Sequence, residues 1–590
     1  MSIDIETYRL KAQEAIEYVF VKEYHNSLGI PMPIVKMLLP DDANYSTGQY
    51  YITIDKTWQI HLNFGKLPIS YHEFQNEVKV LTRHEIEHYM CCPFDVITHF
   101  RMLKRIRDVY YKHFSHLGIN IEYACGAISN QAADIIVDTK NYYRHSKETL
   151  KSEIDWIKIG ANISACPRHC KLMFLTKEAI WKEDLGINET DPEFLKIVHQ
   201  LADSFTKNGI EDKSSFLDKV EEYAEIFFKL YVEDQKNPQQ SSQQGSQQQS
   251  GQQGPQQQNG QQGSQQQSDQ QGPQQQSGQQ GSQQQSGQWG VGRPKDGDEH
   301  GNAFVFADPD KVKEAIEVLA EETSVEEFID LLAIAGIIGM SDKQKGVLWF
   351  NVQSANIIPI VEFSNTGNKS SYTYPSVWRI GDPIEELDLM LTYMTSPRLI
   401  PGMTTKKWGY VSNDDNGTES KQMDLLLVVD TSGSMGSAMK ESANMHQAVL
   451  ASYGILSYFE STKSKVAFIG FSDKIDAYVD WSDKYDDVRE RLLTNGHGGT
   501  KFPISRIKST LDVRSRDLVT VLITNGDLGN INESVSYFRD YLNDDNKLYI
   551  FLLGGSKSLH SYEPLKNIGA KIYNANNANE FCDMVLTDME

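Results

Sequence analysis

Five consecutive apolar residues, Leu425 to Val429, predict a β-strand that is buried on both faces. Similar apolar runs predict further buried strands at 466–471, 518–524 and 548–553. The segment from Ser437 to Glu460 predicts a helix between the first two strands. Strands that alternate with helices indicate a C-terminal α/β domain with a doubly wound, Rossmann-like sheet.

The N-terminal part has a different pattern and predicts an α+β domain. Helical spacing runs from Tyr8 to Tyr24, and two strands are predicted at 50–54 and 58–64. The second strand alternates apolar and polar residues, which is typical of a half-buried strand. Helical spacing resumes near Glu73, and we expect Pro93 to end that helix.

A low-complexity segment separates these two parts. From Gly245 a nine-residue unit rich in Gln, Ser and Gly repeats five times, with almost no charge and no apolar residue before Trp289. Such a sequence cannot bury enough surface to fold, so residues 238–300 are predicted to be a disordered linker. Self-association of the Gln-rich repeat is the alternative.

Polar residues follow the strand that ends at Asp430. The spacing Asp430-x-Ser432-x-Ser434 places a carboxylate and two hydroxyls at the carboxyl end of the strand, where open α/β sheets bind ligands. These hard oxygen donors suit Mg²⁺. The alternative is that Asp430 and the two serines only stabilise a turn, but turn chemistry does not explain the Gly-Gly-Thr500 sequence further along.

This pattern resembles the metal-ion-dependent adhesion site of von Willebrand factor A (VWA) domains, over about residues 422–590. The resemblance implies that Thr500, on a glycine-rich loop, is a further Mg²⁺ ligand. Where the family has Asp after a later strand, this chain has Asn525, which offers an amide oxygen without a charge. Asp527, two residues later, is a further candidate ligand.

A second group of metal-binding residue types lies on the predicted helix that Pro93 ends. In His84-Glu85-Ile-Glu-His88 the two histidines are one helical turn apart and share a face, so they can bind one Zn²⁺. Glu85 lies beside them, where it can take a proton from a metal-bound water. About 40 residues later, Asn130, Asp134 and Asp138 are spaced to line one face of another helix. Asp138 has apolar neighbours, so a metal or a hydrogen bond must satisfy its carboxylate.

This arrangement resembles the zincin metallopeptidases whose third ligand is an acid in an acid-x-x-x-Asp pattern. The resemblance implies that Asp134 is the third zinc ligand and that Asp138 binds a ligand imidazole. It also implies that the strand at 58–64 is the edge strand over the cleft. The alternative is that the histidines and aspartates form a buried hydrogen-bonded cluster without metal.

The two resemblances, the low-complexity segment and the pattern after it divide the chain into four parts: a zincin-like domain at 1–237, the linker, an α/β extension at 301–420 that packs on the VWA domain, and the VWA domain itself at 421–590. Within the extension, helices are predicted at 308–319 and from Ser324 to about Gly336, and short strands at 347–363. The pair of domains resembles a group of prokaryotic proteins classed as metallopeptidases.

Composition limits the function further. The 57 Lys and Arg against 80 Asp and Glu give a net charge of −23, which argues against nucleic-acid binding. Six cysteines do not make a disulfide framework, the first residues lack the features of a signal peptide, and no stretch of 18 apolar residues predicts a membrane span. We therefore expect a cytoplasmic protein.

Cys166, His169 and Cys170 could form half of a zinc site, with buried thiols as the simpler interpretation.

Two functions fit these observations. The first is a zinc-dependent peptidase whose VWA domain recruits a protein or peptide substrate, or a partner, through an acidic side chain that completes the Mg²⁺ shell. The second is a non-catalytic binding protein that works with a MoxR-type AAA+ ATPase and uses the zinc domain as a scaffold. For the peptidase, the candidate oxyanion donors by residue type are His99, Tyr142, Arg144 and His145.

Overall fold

The computed structural model contains a mixture of helices and strands in two compact units. One unit comprises residues 1–316 with 333–336, and the other comprises 317–332 with 337–590. The structure describes residues 5–25, 28, 32, 34–38, 50–54, 59–64, 70–160, 163–236, 309–337, 340–355, 376–377, 406–407, 423–514, 517–526, 528–553 and 559–575. The predicted linker at 238–300 and most of the segment 356–422 lie outside these residues.

The first unit is mainly helical. Its elements are α1 (Ile5–Glu17, continued by a π-helical turn at Tyr18–Glu23), β1 (Ile34–Leu38), β2 (Tyr50–Ile54), β3 (Gln59–Phe64), α2 (Tyr71–Met90), α3 (Val96–Val109), α4 (Ile121–Gly160), α5 (Arg168–Trp181), α6 (Pro192–Thr206) and α7 (Phe216–Lys236). α4 is interrupted at His145, whose φ of −135° and ψ of 49° are not helical.

The three strands form one small sheet in the order β1-β3-β2, with β1 parallel and β2 antiparallel to β3. The strand predicted at 58–64 is β3, and the prediction that it is an edge strand is wrong, because β3 has a hydrogen-bonded neighbour on each side. Sequence alternation shows that a strand is amphipathic, but it does not show which strands flank it. The prediction that this strand is half-buried concerns side chains that the structure does not describe.

Helix α2 is the central element for the site. Its start is fixed by Ser70, whose Oγ accepts a hydrogen bond from the backbone N–H of Glu73 at 3.2 Å. Pro93 follows its end, as predicted. One side of α2 packs on α1 and the other on α4, which in turn packs on α5. The buried side chains between α1, β1 and α2 include Ile16, Phe74 and Val78.

The second unit is built around a six-stranded sheet. Two helices, α8 (Pro309–Glu322) and α9 (Val325–Ile334), have residues in both units. The other elements of the second unit are α10 (Asp342–Ala355), β4 (Ser376–Val377), β5 (Lys406–Lys407), β6 (Asp424–Asp430), α11 (Asn444–Ser461), β7 (Val466–Phe471), β8 (Ile475–Ser482), α12 (Tyr485–Leu492), α13 (Ile504–Leu511), β9 (Leu518–Thr524), α14 (Val535–Asn543), β10 (Lys547–Leu553), α15 (Leu559–Lys566) and β11 (Lys571–Ala575). The four buried strands predicted from apolar runs are confirmed as β6, β7, β9 and β10.

The strand order is β11-β10-β9-β6-β7-β8, with β8 antiparallel to β7 and every other pair parallel. The chain enters at β6, continues to β7 and β8 on one side, and returns to β9 on the other. Alternate residues such as Leu426 and Val428 pack into a core that includes Phe502, Ile507 and Phe538. The strand order thus reverses between β6 and β9, and their carboxyl ends meet there.

Two sequence predictions in this unit are wrong. Residues 347–355 belong to helix α10 and not to a strand. Ser341 and Gln344 form a capping box that starts this helix, because each backbone N–H donates to the other's side chain, at 2.9 and 3.3 Å. The helix predicted from Ser437 begins only at Asn444. The His446 ring holds the preceding turn by donating from Nδ1 to the carbonyl of Ala438 at 2.8 Å.

Candidate metal centre

Helices α2 and α4 bring three potential metal ligands together. His84 and His88 lie one turn apart on α2, and Asp134 faces them from α4. The Nε2 atoms of the two histidines are 3.1 Å apart, and Asp134 Oδ1 lies 3.5 Å from the first and 3.3 Å from the second. These three residues form the one His, Cys, Asp and Glu group of metal-binding geometry among the described residues.

The hydrogen bonds of the histidines fix which ring nitrogens face this centre. His88 Nδ1 lies 2.8 Å from the carbonyl oxygen of Cys92, which can only accept, so Nδ1 carries the proton. His84 Nδ1 lies 2.6 Å from Asp138 Oδ1 and donates to that carboxylate. In the neutral rings, both Nε2 lone pairs therefore point inward.

When both rings are neutral, three lone-pair atoms thus face one another, which is repulsive unless a proton or a metal ion lies between them. Ligands placed tetrahedrally around zinc at about 2.0–2.1 Å are roughly 3.3 Å from one another. The observed separations of 3.1, 3.3 and 3.5 Å agree with that value. The residues present therefore fit a zinc ion.

The centre is enclosed but not sealed. The side chain of His88 is fully buried, whereas those of His84 and Asp134 keep 19% and 13% of their surface exposed. A ligand can therefore approach from the side of His84 and Asp134. Structural zinc sites have four protein ligands, and catalytic sites have three with one open position. Among the described residues, His84, His88 and Asp134 supply three of the four positions of such a site.

Glu85 is buried next to the two histidines. Its Oε2 has no hydrogen-bond partner among the described residues. Burial raises the pKa of Glu85, although His84 and His88 oppose this. A carboxylate that is poised to take up a proton has the property that a general base needs.

At His84, nearby charges outweigh the effect of burial on the pKa. Burial alone would lower the pKa of His84, but the carboxylates of Asp138, Asp134 and Glu85 outweigh it and raise the pKa to about 10. These carboxylates thus stabilise positive charge at the centre, whether a proton or a metal ion carries it. The pKa of Asp138 is held well below its usual range, against burial, by Lys177 and His84.

Two contacts at this centre were not predicted from the sequence. Lys177, on α5, donates to Asp138 Oδ2 at 2.5 Å, so both oxygens of Asp138 are engaged. Asn130 donates from Nδ2 to Asp134 Oδ2 at 2.9 Å and leaves Oδ1 towards the histidines. The spacing of Asn130 and Asp134 hinted at the second contact, but no local pattern indicated Lys177.

The candidate oxyanion donors differ in their surroundings. The Tyr142 hydroxyl donates to Glu183 at 2.8 Å, and its ring stacks on Trp181. Arg144 forms an ion pair with buried Glu87 at 2.9 Å. His99 is buried, and burial, together with His88, lowers its pKa to about 4. Tyr142 and Arg144 thus already bind carboxylates. His99, which is near enough to His88 for its charge to matter, favours the neutral form.

The Cys166, His169 and Cys170 group is arranged differently. His169 donates from Nδ1 to Asp234 at 2.9 Å, and the five described cysteines are free thiols. No group of metal-binding geometry includes these residues in the part of the chain that the structure describes.

The oxygen-rich group at the end of β6 lies where the strand order reverses. Asp430 is fully buried, and its two oxygens accept from the Ser432 backbone N–H at 2.9 Å and from the Thr524 hydroxyl at 2.7 Å. Ser434 Oγ lies 3.1 Å from Ser432 Oγ and donates to Asn525 Oδ1, also at 3.1 Å. Neighbouring oxygens around Mg²⁺ at about 2.0–2.1 Å are roughly 2.9 Å apart, so the two separations from Ser434 Oγ are close to those around the ion.

The loop that carries Thr500 runs close to this group. The carbonyl of Gly498 accepts from the backbone N–H of Gly433 at 3.4 Å. Thr500 itself is half-buried, and Asp527 lies outside the described residues. The structure therefore brings Asp430, Ser432, Ser434 and Asn525 together, while Thr500 as a metal ligand stays a prediction.

Of the helices in the described ranges, none combines the length and the apolar character needed to cross a bilayer. No protein-family model matches this chain, and no curated protein shows significant similarity to it.

Proposed function

We propose that the first unit is a zincin-like, zinc-dependent peptidase. The observation that carries the proposal is the convergence of His84 Nε2, His88 Nε2 and Asp134 Oδ1 within 3.5 Å of one another. Both Nδ1 atoms donate to acceptors, so only a positive charge relieves the contact between the three lone pairs. These three residues would hold the ion, which when bound polarises a peptide carbonyl and acidifies water.

The remaining residues of the centre have separate roles. Glu85 would take a proton on its carboxylate from the attacking water and return it to the leaving amine. Its raised pKa and its Oε2, which has no hydrogen-bond partner among the described residues, suit this exchange. Asp138 holds the His84 ring with Nε2 towards the ion.

The test compares Glu85→Gln with the wild-type chain for zinc content and for hydrolysis of a fluorogenic peptide mixture. General-base removal costs about 10²–10⁴-fold in rate, so we expect bound zinc to remain and hydrolysis to fall by that factor. Glu73→Gln, at an exposed position in the first turn of the same helix, is the matched control and should behave as wild type. Equal hydrolysis by Glu85→Gln and wild type would contradict the role of Glu85.

For the second unit we propose a doubly wound VWA-like domain with a Mg²⁺ site. Its ligands are Asp430, Ser432, Ser434 and Asn525, with Thr500 and Asp527 as further candidates. Asp430 is the one carboxylate among the first four, so the ion keeps excess positive charge and favours an acidic side chain from a substrate or partner. Asp430→Ala should abolish Mg²⁺-dependent binding of that partner and leave zinc content unchanged.

One observation favours a second function. Tyr142 and Arg144 already bind carboxylates, so two of the four candidate oxyanion donors are not free to stabilise a transition state. A zinc-bound scaffold without turnover fits this, with the VWA-like domain working beside a MoxR-type AAA+ ATPase. Zinc in the wild-type chain with no hydrolysis by wild type or Glu85→Gln would support the scaffold.

A cytoplasmic location belongs to the same proposal. The five described cysteines are free thiols, as is usual in a reducing compartment.

A further inference from the structure

Lys177 is a buried cation two contacts away from the metal ligands. It lies on α5, and only 3% of its side-chain surface is exposed. Its Nζ donates to Asp138 Oδ2 at 2.5 Å and to Glu153 Oε1 at 2.9 Å. The Phe174 ring lies 5.6 Å from Nζ, so the ammonium group has an apolar neighbour as well as two carboxylates.

Asp138 connects this cation to the metal centre. Its Oδ1 accepts from His84 Nδ1 and its Oδ2 accepts from Lys177. The carboxylate is thus held at both ends and cannot rotate without losing a charge-assisted hydrogen bond. Because Asp138 fixes the ring of His84, the ammonium group indirectly fixes the direction of His84 Nε2.

Glu153 completes the arrangement from the other side. It lies on α4 beyond the interruption at His145, whereas Asp138 lies before it. Without Lys177, the carboxylates of Asp138 and of the largely buried Glu153 would face one another with no cation between them. Their repulsion would turn Asp138 away from the orientation that holds His84.

We propose that Lys177 is a positioning residue of the zinc site, which acts through Asp138 on His84 and is itself held by Glu153. This inference rests on the proposed zinc site. It predicts that the affinity of the chain for zinc depends on a residue that does not touch the metal.

A buried ion pair that only stabilises the fold would look similar, and the same helix offers a control. Lys171 on α5 is also buried and pairs with Glu189 at 2.9 Å. This pair is of the same chemical type and belongs to the same helix, but the carboxylate that Lys171 contacts is Glu189 and not Asp138. Lys171→Met therefore reports what the loss of a buried lysine does to stability alone.

The experiment titrates the full-length chain with zinc against a chromophoric chelator, in excess Mg²⁺ to saturate the second site. Loss of a residue that orients a metal-binding histidine typically weakens metal affinity about 10–100-fold, so we expect this for Lys177→Met. Lys177→Arg keeps the charge and should restore most of the affinity. Lys171→Met should lower the melting temperature but bind zinc as tightly as wild type.

Cobalt substitution supplies a readout that a purely structural role would not change. The visible absorption of bound Co²⁺ depends on ligand geometry, so its bands should shift in Lys177→Met and stay unchanged in Lys171→Met. If Lys177→Met does not fold, Lys177→Gln replaces it, because Gln keeps a hydrogen-bond donor without the charge. We expect the same loss of zinc affinity and the same shift of the cobalt bands in Lys177→Gln.

Wild-type zinc affinity and an unchanged cobalt spectrum in Lys177→Met would overturn this inference while leaving the proposed peptidase intact. An equal loss of zinc affinity in Lys171→Met would also overturn it. A wild-type chain that binds no zinc would overturn the proposed function and this inference together.

Discussion

His84 and His88 point their Nε2 atoms at each other across 3.1 Å, and each ring donates from Nδ1 to an acceptor behind it. Two such nitrogens would normally separate or share a proton. Here the hydrogen bonds to Asp138 and to the Cys92 carbonyl hold both rings in place, and Asp134 adds a third acceptor. The arrangement is stable when a cation occupies the centre, and its consequences can be measured.

The contact between Asn130 and Asp134 should affect zinc affinity. Asn130→Asp replaces the amide donor, 2.9 Å from Asp134 Oδ2, with a second carboxylate. Repulsion should displace Asp134, and we expect zinc affinity to fall about 10-fold. A competitive zinc titration measures this.

Gln131→Glu is the charge-matched control, because Gln131 Oε1 accepts from the Tyr223 hydroxyl and a carboxylate can do the same. It should bind zinc almost as wild type does. Equal affinity of Asn130→Asp and Gln131→Glu would show that Asn130 does not orient Asp134.

The glycine-rich loop before Thr500 should tolerate a methyl group at one position and not at another. A Cβ at Gly496 would lie 2.6 Å from the carbonyl oxygen of Thr431, which is backbone and cannot move aside. A Cβ at Gly499 would have no heavy atom within 4 Å. Gly496→Ala should therefore destabilise the fold by about 1–3 kcal/mol and weaken Mg²⁺ binding, whereas Gly499→Ala should do neither.

Urea denaturation and calorimetric Mg²⁺ titration of the two variants check this. Comparable Mg²⁺ affinity in Gly496→Ala and wild type would mean that the position of this loop does not matter for the ion.

The stability contributed by Asp234 should depend on pH. Burial raises its pKa, but hydrogen bonds from His169 and Arg168 outweigh burial and hold the pKa below its ordinary value. A carboxylate with a lowered folded-state pKa stabilises the fold above its unfolded pKa of about 3.9. That contribution is lost as the pH falls through the folded pKa.

Asp234→Asn should therefore lower the free energy of unfolding by about 1–3 kcal/mol at pH 7, and the difference from wild type should shrink at pH 3. Urea denaturation of both proteins at the two pH values measures it. A difference of the same size at both pH values would mean that charge on Asp234 is not what stabilises the fold.

Helix α10 should be an integral part of the second unit. Phe350 is fully buried and lies against the rings of His446 and Tyr453 on α11, with centroid separations of 5.2 and 5.5 Å. Phe350→Ala should cost about 3–5 kcal/mol in unfolding free energy. Asn351→Ala, at the next and only half-buried position, should cost much less. Chemical denaturation that gives the two variants the same stability would show that α10 is not part of this core.

Periodicity in the sequence placed His84 with His88, and Asp134 with Asp138, on shared helix faces, because residues one turn apart on a helix share a face wherever that helix packs. The expectation that the two faces meet at a metal came from the resemblance to zincins. Long apolar runs likewise identified β6, β7, β9 and β10. The edge strands β8 and β11 were not predicted, because an edge strand has partners on one side only and its pattern is more polar.

Other features depend on contacts that no local pattern contains. Lys177 is 39 residues from Asp138, and its role becomes visible only once α4 and α5 are packed together. The aromatic and β-branched run at 347–352 favours a strand locally, yet its buried residues Trp349 and Phe350 follow Lys345 and Gly346 at helical spacing. There, tertiary packing outweighed intrinsic propensity.

The zinc content of the purified full-length chain tests the central claim most directly. In excess Mg²⁺, dialysed wild-type protein should retain a single zinc ion per chain, and His88→Ala should lose it, because the buried His88 Nε2 belongs to the set of three converging atoms. Inductively coupled plasma mass spectrometry measures both. A wild-type chain that stays free of zinc after saturation, or zinc that persists when His84, His88 and Asp134 are all replaced by Ala, would contradict the account.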